Sequence, residues 1–176
     1  MKTYTGIGSR STPENILNLI HRVSRKLDDM GFLLRSGGAN GADSAFELFS
    51  NNKEIYLPWN GFNSRKHDGE YYFTYSLCSG HLIAEDSVTN FHPNPKALTN
   101  AGRKLMARNA MQILGRDCKT PTDVVICWTN ETGGTNQALR IAKFHNIPIL
   151  NLKEKRVEKF FRDTFLSGTG SLDGLP

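Results

Sequence analysis

Phe32-Leu33-Leu34-Arg35-Ser36-Gly37-Gly38-Ala39-Asn40-Gly41-Ala42-Asp43 passes from an apolar strand signal, through a glycine-rich turn, into the start of a helix. That order decides the fold. A short apolar run at Phe32–Leu34 reads as a buried strand, the glycines allow a tight turn, and Ala42–Phe49 carries a helical pattern. The same unit is visible upstream. Tyr4–Ile7 is apolar, and Ile16, Leu17, Leu19, Ile20, Val23 and Leu27 recur at helical spacing until Gly31 closes the pattern. Thr12-Pro13-Glu14 supplies a capping side chain, a proline for the first helical position and an acid for the positive end of the helix dipole. Glu54–Leu57 is a third strand. Strands alternating with helices predict an α/β fold in which helices cover both faces of a central, mostly parallel sheet.

The rhythm breaks from Trp59 to about Pro95, a stretch rich in Asn, His, Gly and aromatics with a short helix expected near Tyr71–Leu77. A connection this long inside a compact domain reads as a functional insertion or lid, here residues 59–96. Beyond it come a helix over Ala97–Leu114, an almost continuously apolar strand at Asp123–Trp128, a helix at Thr135–Phe144, a strand at Pro148–Leu152 and a basic amphipathic helix at Lys153–Phe165. One domain over residues 1–166 is expected, followed by a flexible tail over 167–176.

With 176 residues, 38% of them hydrophobic, the chain has enough material for one buried core. There is no run of about 18 apolar residues and no secretory pattern at MKTYTGIGSR, which points to a cytoplasmic protein with no membrane partner. Cys78, Cys118 and Cys127 are odd in number and widely spaced, so reduced thiols are expected rather than disulfides or a zinc site. A net charge of +5 favours an anionic partner.

In open α/β sheets ligands bind beyond the carboxyl ends of the strands, where loops meet helix N-termini. Three segments fall there. Gly6-Ile7-Gly8-Ser9-Arg10-Ser11-Thr12 offers close backbone approach, hydroxyls and a guanidinium fork. Ser36-Gly37-Gly38-Ala39-Asn40-Gly41-Ala42-Asp43 follows the second strand, and Thr129-Asn130-Glu131-Thr132-Gly133-Gly134-Thr135-Asn136 follows the fourth. Together they predict a shared phosphate and ribose site. None of the three matches GxGxxG or GxxxxGK[ST], so neither ordinary dehydrogenase nor P-loop chemistry is indicated.

These segments resemble the SLOG superfamily, the Rossmann-like group containing the DNA-processing DprA proteins and the LOG phosphoribohydrolases. Gly8-Ser9-Arg10 is similar to the first GxR turn, and SGGANGAD is similar to the SGGAxGxD signature of DprA-like members. TGGTNQALRIAKFHNIPILNL resembles the later Gly-Gly-Thr loop, helix and final strand. The likeness spans most of residues 1–152 and, with EIYLPWNGFN and RNAMQILG, is greatest to short phage-encoded DprA-like proteins. It implies a Rossmann-like three-layer sandwich, a homo-oligomer, and either nucleotide binding, nucleoside 5′-monophosphate N-glycosidase activity of LOG type, or single-stranded DNA binding as in DprA.

Arg108 and Asn109 lie in a segment resembling the LOG arginine helix, but the LOG glutamate position falls on Ala138. Glycoside cleavage develops a cation-like sugar that a carboxylate must stabilise or supply with activated water, and alanine does neither. Glu47, Glu131 and Asp43 are the nearby carboxylates that would have to substitute, with Arg108 as a further catalytic candidate. The weight therefore shifts from hydrolysis to binding. The expected ligand is a phosphate-bearing nucleotide-type molecule, an ADP-ribose-derived or cyclic nucleotide signal, and the phage resemblance implies sequestration of such a signal as counter-defence.

The expected ligand-binding set is Gly8, Ser9, Arg10, Ser36, Gly37, Gly38, Ala39, Asn40, Asp43, Arg108, Asn109, Trp128, Thr129, Gly133, Gly134, Thr135 and Asn136. Arg10 and Arg108 are the phosphate candidates, because a guanidinium grips phosphate with two N–H bonds. Asp43 either caps its own helix or holds a ribose hydroxyl. Trp59, Phe62 and Trp128 are candidates to stack on a base, with Trp128 nearest the site. His67, His81 and His92 lack metal-ligand spacing, and no metal or cofactor is expected. Lys153-Glu154-Lys155-Arg156 reads as a solvated helix face or as a contact for a nucleic acid backbone.

Overall fold

The computed structural model describes residues 2–130, 132–168, 171 and 172. Six strands form one parallel sheet: β1 (Thr3–Gly8), β2 (Leu33–Ser36), β3 (Lys53–Leu57), β4 (Tyr72–Thr74), β5 (Val124–Trp128) and β6 (Ile149–Asn151), in the spatial order β4-β3-β2-β1-β5-β6. The helices are α1 (Glu14–Asp29), α2 (Ala42–Leu48), α3 (His81–Phe91), α4 (Asn100–Leu114), α5 (Gly134–Phe144) and α6 (Lys155–Lys159).

Side chains alternate across the strands and divide the core into two layers. Tyr4, Leu34, Ile55, Leu57, Val124 and Ile126 pack with α1, α2 and α6, whereas Ile7, Tyr56, Phe73, Val125 and Cys127 pack with α3, α4 and α5. This is the α/β sheet covered on both faces that the strand-helix rhythm predicts, in the Rossmann-like three-layer form that the resemblance implies, and all of its strand pairs are parallel. α1 buries Ile16, Leu19, Ile20, Val23 and Leu27, a stripe at helical spacing. Each such side chain contributes about 1.5–3 kcal/mol on full burial.

Several local expectations are corrected. Thr12 does not cap α1; its hydroxyl donates to the Ser9 carbonyl at 2.7 Å, and Pro13 occupies the cap position. Tyr71–Leu77 is not a helix: Tyr72–Thr74 pairs with β3, and only Tyr75–Leu77 forms a 3-10 turn. The local cause is Asp68, whose Oδ1 accepts the N–H groups of Glu70, Tyr71 and Tyr72 at 2.8–2.9 Å and turns the chain into an extended edge strand. The stretch 59–96 thus supplies both β4 and α3.

α4 begins at Asn100, later than the expected Ala97, because the Thr99 side chain accepts the Gly102 N–H at 3.0 Å and caps it. The closing helix is α-helical only over Lys155–Lys159 and widens into a π-helical stretch at Phe160–Phe165, which seats Phe161 and Phe165 in the core. Most of the expected flexible tail lies outside the described residues.

Candidate functional site

Successive strands step outward from β1 to β4, and the chain then returns through α3 and α4 to place β5 on the other side of β1. The loops after β1 and β5 therefore diverge and open a crevice, the place where open α/β sheets hold ligands. A cavity of about 370 Å³ lies there, between the loops that follow β1, β2 and β5 and one face of α4.

The first wall is Gly8-Ser9-Arg10. Gly8 allows the close strand pairing at this point, since a Cβ would stand 2.5 Å from the Trp128 carbonyl oxygen and 2.7 Å from the Ala42 Cβ. The Ser9 N–H donates to that same carbonyl at 2.9 Å. Arg10 is exposed and, among the described residues, has no hydrogen-bond or ion-pair partner, so its guanidinium is available at the rim.

The second wall is Ala39 and Asp43. Gly38 and Gly41 have φ of +64° and +83°, the left-handed conformations that make this turn a glycine sequence. Asp43 is 3% exposed and ties two loops together: Oδ1 accepts the Gly8 N–H at 3.1 Å and Oδ2 the Ala39 N–H at 3.5 Å. Its carboxylate thus braces the β1 loop and does not cap its own helix. Burial pushes its pKa above the usual carboxylate range, against the opposing pull of Arg108, whose Nη1 lies 4.0 Å from Oδ2.

The third wall is Thr132-Gly133-Gly134-Thr135 at the start of α5, with Gly133 at φ +72°. The fourth comes from α4, where Leu105, Met106, Arg108, Asn109 and Gln112 share a face by their spacing. Arg108 is buried, its Nη1 donating to the Gly37 carbonyl at 2.5 Å and its Nε to the Leu105 carbonyl at 3.3 Å. Desolvation lowers its pKa, with Asp43 acting in the opposite direction. The Asn109 amide donates to the Gly134 carbonyl at 3.0 Å. The Gln112 amide is oriented so that its oxygen accepts the Gly37 N–H at 2.9 Å and its nitrogen donates to Asn109 Oδ1 at 3.0 Å. A polar relay from Gly37 through Gln112 and Asn109 to Gly134 therefore couples the β2 and β5 loops beneath the cavity.

The structure thus gathers Gly8, Ser9, Arg10, Ala39, Asp43, Arg108, Asn109, Gly133, Gly134 and Thr135 around one space. The other expected residues that the structure describes lie outside the lining. Ser36 donates to the Gly6 carbonyl at 2.6 Å, Gly37 sits behind Arg108, Gly38 faces Arg65, and Asn40 is exposed. Trp128 packs against the α1 layer, Thr129 pairs its N–H with Asn151, and Asn136 closes a turn onto Gly133. Glu47 is absent from the lining; it holds Arg65 at 2.7 Å and accepts from the Tyr72 hydroxyl at 2.8 Å. Glu131 lies outside the described residues.

No aromatic side chain lines the cavity among the described residues. Trp59 and Phe62 pack edge to face, and Phe62 lies under the Arg108 guanidinium at 5.7 Å. The apolar surface is instead Ile7, Leu105 and Met106. Each insertion histidine meets a backbone group: His67 accepts the Thr74 N–H, His92 accepts the Asn94 N–H, and His81 bonds the Cys78 carbonyl. In the closing segment Arg156 pairs with Glu154 at 3.1 Å and Arg162 with Glu158 at 2.8 Å. Sequence reading missed Gln112, although its place one turn after Arg108 on a helix with an apolar stripe marks it as inward-facing.

The fold and this crevice define a Rossmann-like domain with a pocket at its topological switch point. No family model and no curated protein matches the chain. Among solved structures, DNA processing protein A from Helicobacter pylori superposes with a TM-score of 0.56 at 19% identity, over 92% of this chain and 78% of that one. That protein was studied for its single-stranded DNA binding mode. The two chains share the fold. No described helix is long and apolar enough to cross a membrane.

Proposed function

We propose that this protein binds a phosphate-bearing, nucleotide-type small molecule in the switch-point cavity. The observation that carries the reading is the convergence of three glycine-turn loops, Arg10 and Arg108 on one space of about 370 Å³. That volume lies near the lower end of the roughly 300–1,000 Å³ typical of small-molecule pockets, which favours a ligand with a single nucleotide unit. Arg10 at the rim and the uncapped start of α5, which carries no acid in its first turn, form the anion-attracting side. Leu105 and Met106 form the apolar side. The resemblance to phage-encoded DprA-like proteins adds a role for this binding, the sequestration of an ADP-ribose-derived or cyclic nucleotide signal in the cytoplasm by a homo-oligomer.

The LOG-like N-glycosidase reading rests on Asp43, the one carboxylate in the lining among the described residues. The single-stranded DNA reading is favoured by the fold shared with DNA processing protein A and by the charge of +5. Nucleotide retention and a salt titration of single-stranded DNA binding, each on the wild type and Arg10→Ala, separate the three. The protein is incubated with a panel of nucleotides, and the mixture is analysed by mass spectrometry before and after heat denaturation. Capture predicts ligand recovered intact and lost in Arg10→Ala. Released base supports hydrolysis. Salt-sensitive single-strand binding that survives Arg10→Ala, with no nucleotide retained, overturns the small-molecule reading.

A further inference from the structure

We propose that Asp43 makes the cavity select a ribose-bearing ligand over its 2′-deoxy counterpart by accepting a sugar hydroxyl. The proposal rests on the small-molecule reading above and names the substrate class of that site. Asp43 is in the lining, and its carboxylate is fixed from behind by backbone N–H groups of Gly8 and Ala39, with Gly37 also in reach. A carboxylate offers roughly four acceptor directions, so three N–H groups leave one open in a residue that lines the cavity.

The nature of the partner follows from charge. A phosphate oxygen beside an ionised carboxylate is repelled, and a buried protonated one offers only a single proton. The anionic part of a ligand is therefore drawn to the Arg10 guanidinium and the α5 end in preference to the Asp43 carboxylate. What remains near Asp43 must donate a hydrogen bond. In a nucleotide the group next to the phosphate with donors is the sugar, whose 2′-hydroxyl is both donor and acceptor. Arg108 Nη1, 4.0 Å from Oδ2, is too far to consume that acceptor and is itself engaged by the Gly37 and Tyr56 carbonyls. Asp43 is a rigid reader because two loops and α2 hold it. The 2′-hydroxyl is also what distinguishes RNA-type from DNA-type ligands, so the same contact disfavours a deoxyribose backbone at this position.

The test measures binding of the intact protein by calorimetry to the four ribonucleoside 5′-monophosphates, ADP-ribose, 3′,5′-cyclic AMP and ribose 5-phosphate, and to the 2′-deoxy form of each. A hydrogen bond to a charged group predicts a ribo preference of about tenfold to a hundredfold. In Asp43→Asn, with folding checked by circular dichroism, the ribo to deoxy ratio is expected to fall toward one. A merely structural role for Asp43 would lower both affinities and leave the ratio in place. Equal affinity of the wild-type protein for ribo and deoxy forms overturns this inference but leaves the binding reading standing. If none of the probes binds, both are overturned.

Discussion

Gly37 shows how one missing methyl group fixes the arrangement of the site. A Cβ there would stand 1.5 Å from Arg108 Nη1 and 2.1 Å from the end of the Gln112 amide, so both side chains would have to leave their places on the β2 loop. Gly37→Ala is expected to cost about 1–3 kcal/mol, as overpacking does, and to weaken nucleotide binding as well. Urea denaturation and calorimetry check the two halves. Glu54 is a different case. It is buried between Arg35 and Arg116, each at 3.1 Å, and accepts the Tyr56 hydroxyl at 2.6 Å. Glu54→Ala strands a buried guanidinium, so a loss of about 3–5 kcal/mol is expected in the same denaturation assay, with the switch-point cavity untouched.

The buried thiols of Cys78 and Cys118 are pushed up to about 11 and about 12, chiefly by burial. Their native pKa values lie above the ordinary thiol value of 9.0, so the fold favours the protonated form. The associated stability is complete below that value and is lost as pH climbs through the native values. Near neutral pH both should resist alkylation in the folded protein and react once it is unfolded, which peptide mapping after iodoacetamide treatment reads directly. Rapid labelling of the native protein would contradict the burial.

At the scale of elements, the loops were legible because their chemistry is local. Gly38, Gly41 and Gly133 have positive φ, and a glycine-rich turn between an apolar run and a helical pattern announces that conformation. The partner of Asp43 was not legible, because the Gly8 N–H is 35 positions away and only the folded sheet brings it near. β4 escaped notice for a related reason. It has three residues, and an irregular stretch with a short 3-10 turn at Phe62–Ser64 joins it to β3, so no helix pattern announces another parallel strand. The start of α4 depends on Thr99, whose side chain accepts the Gly102 N–H. Thr99→Ala removes that cap and is expected to cost about 1 kcal/mol in thermal or urea unfolding. Because α4 carries Arg108, Asn109 and Gln112 two or more turns further on, ligand affinity should change little; a large change would mean that the helix start governs the site.

For the molecule as a whole, the parallel sheet was readable from alternation alone, while the strand order was not. Sequence order does not say that the chain reverses after β4 and returns to the far side of β1, yet that reversal creates the crevice. It also sets the energetics of binding. The lining is drawn from three strand-end loops and α4, so a ligand in the cavity touches both core layers and can only bind when the sheet and both layers are assembled. Unfolding must then release the ligand. At a free concentration one hundred times its dissociation constant, a ligand confined to the native state adds about 2.7 kcal/mol. For a domain of this size each kcal/mol moves the melting temperature by about 2–4 °C, so a rise of about 5–11 °C is expected by scanning fluorimetry with a ribonucleoside 5′-monophosphate that binds. Arg10→Ala should abolish the rise without lowering the unliganded melting temperature, since Arg10 is exposed and makes no contact that the described fold depends on. An unchanged shift in that variant would place the bound phosphate away from Arg10, on Arg108 and the α5 end.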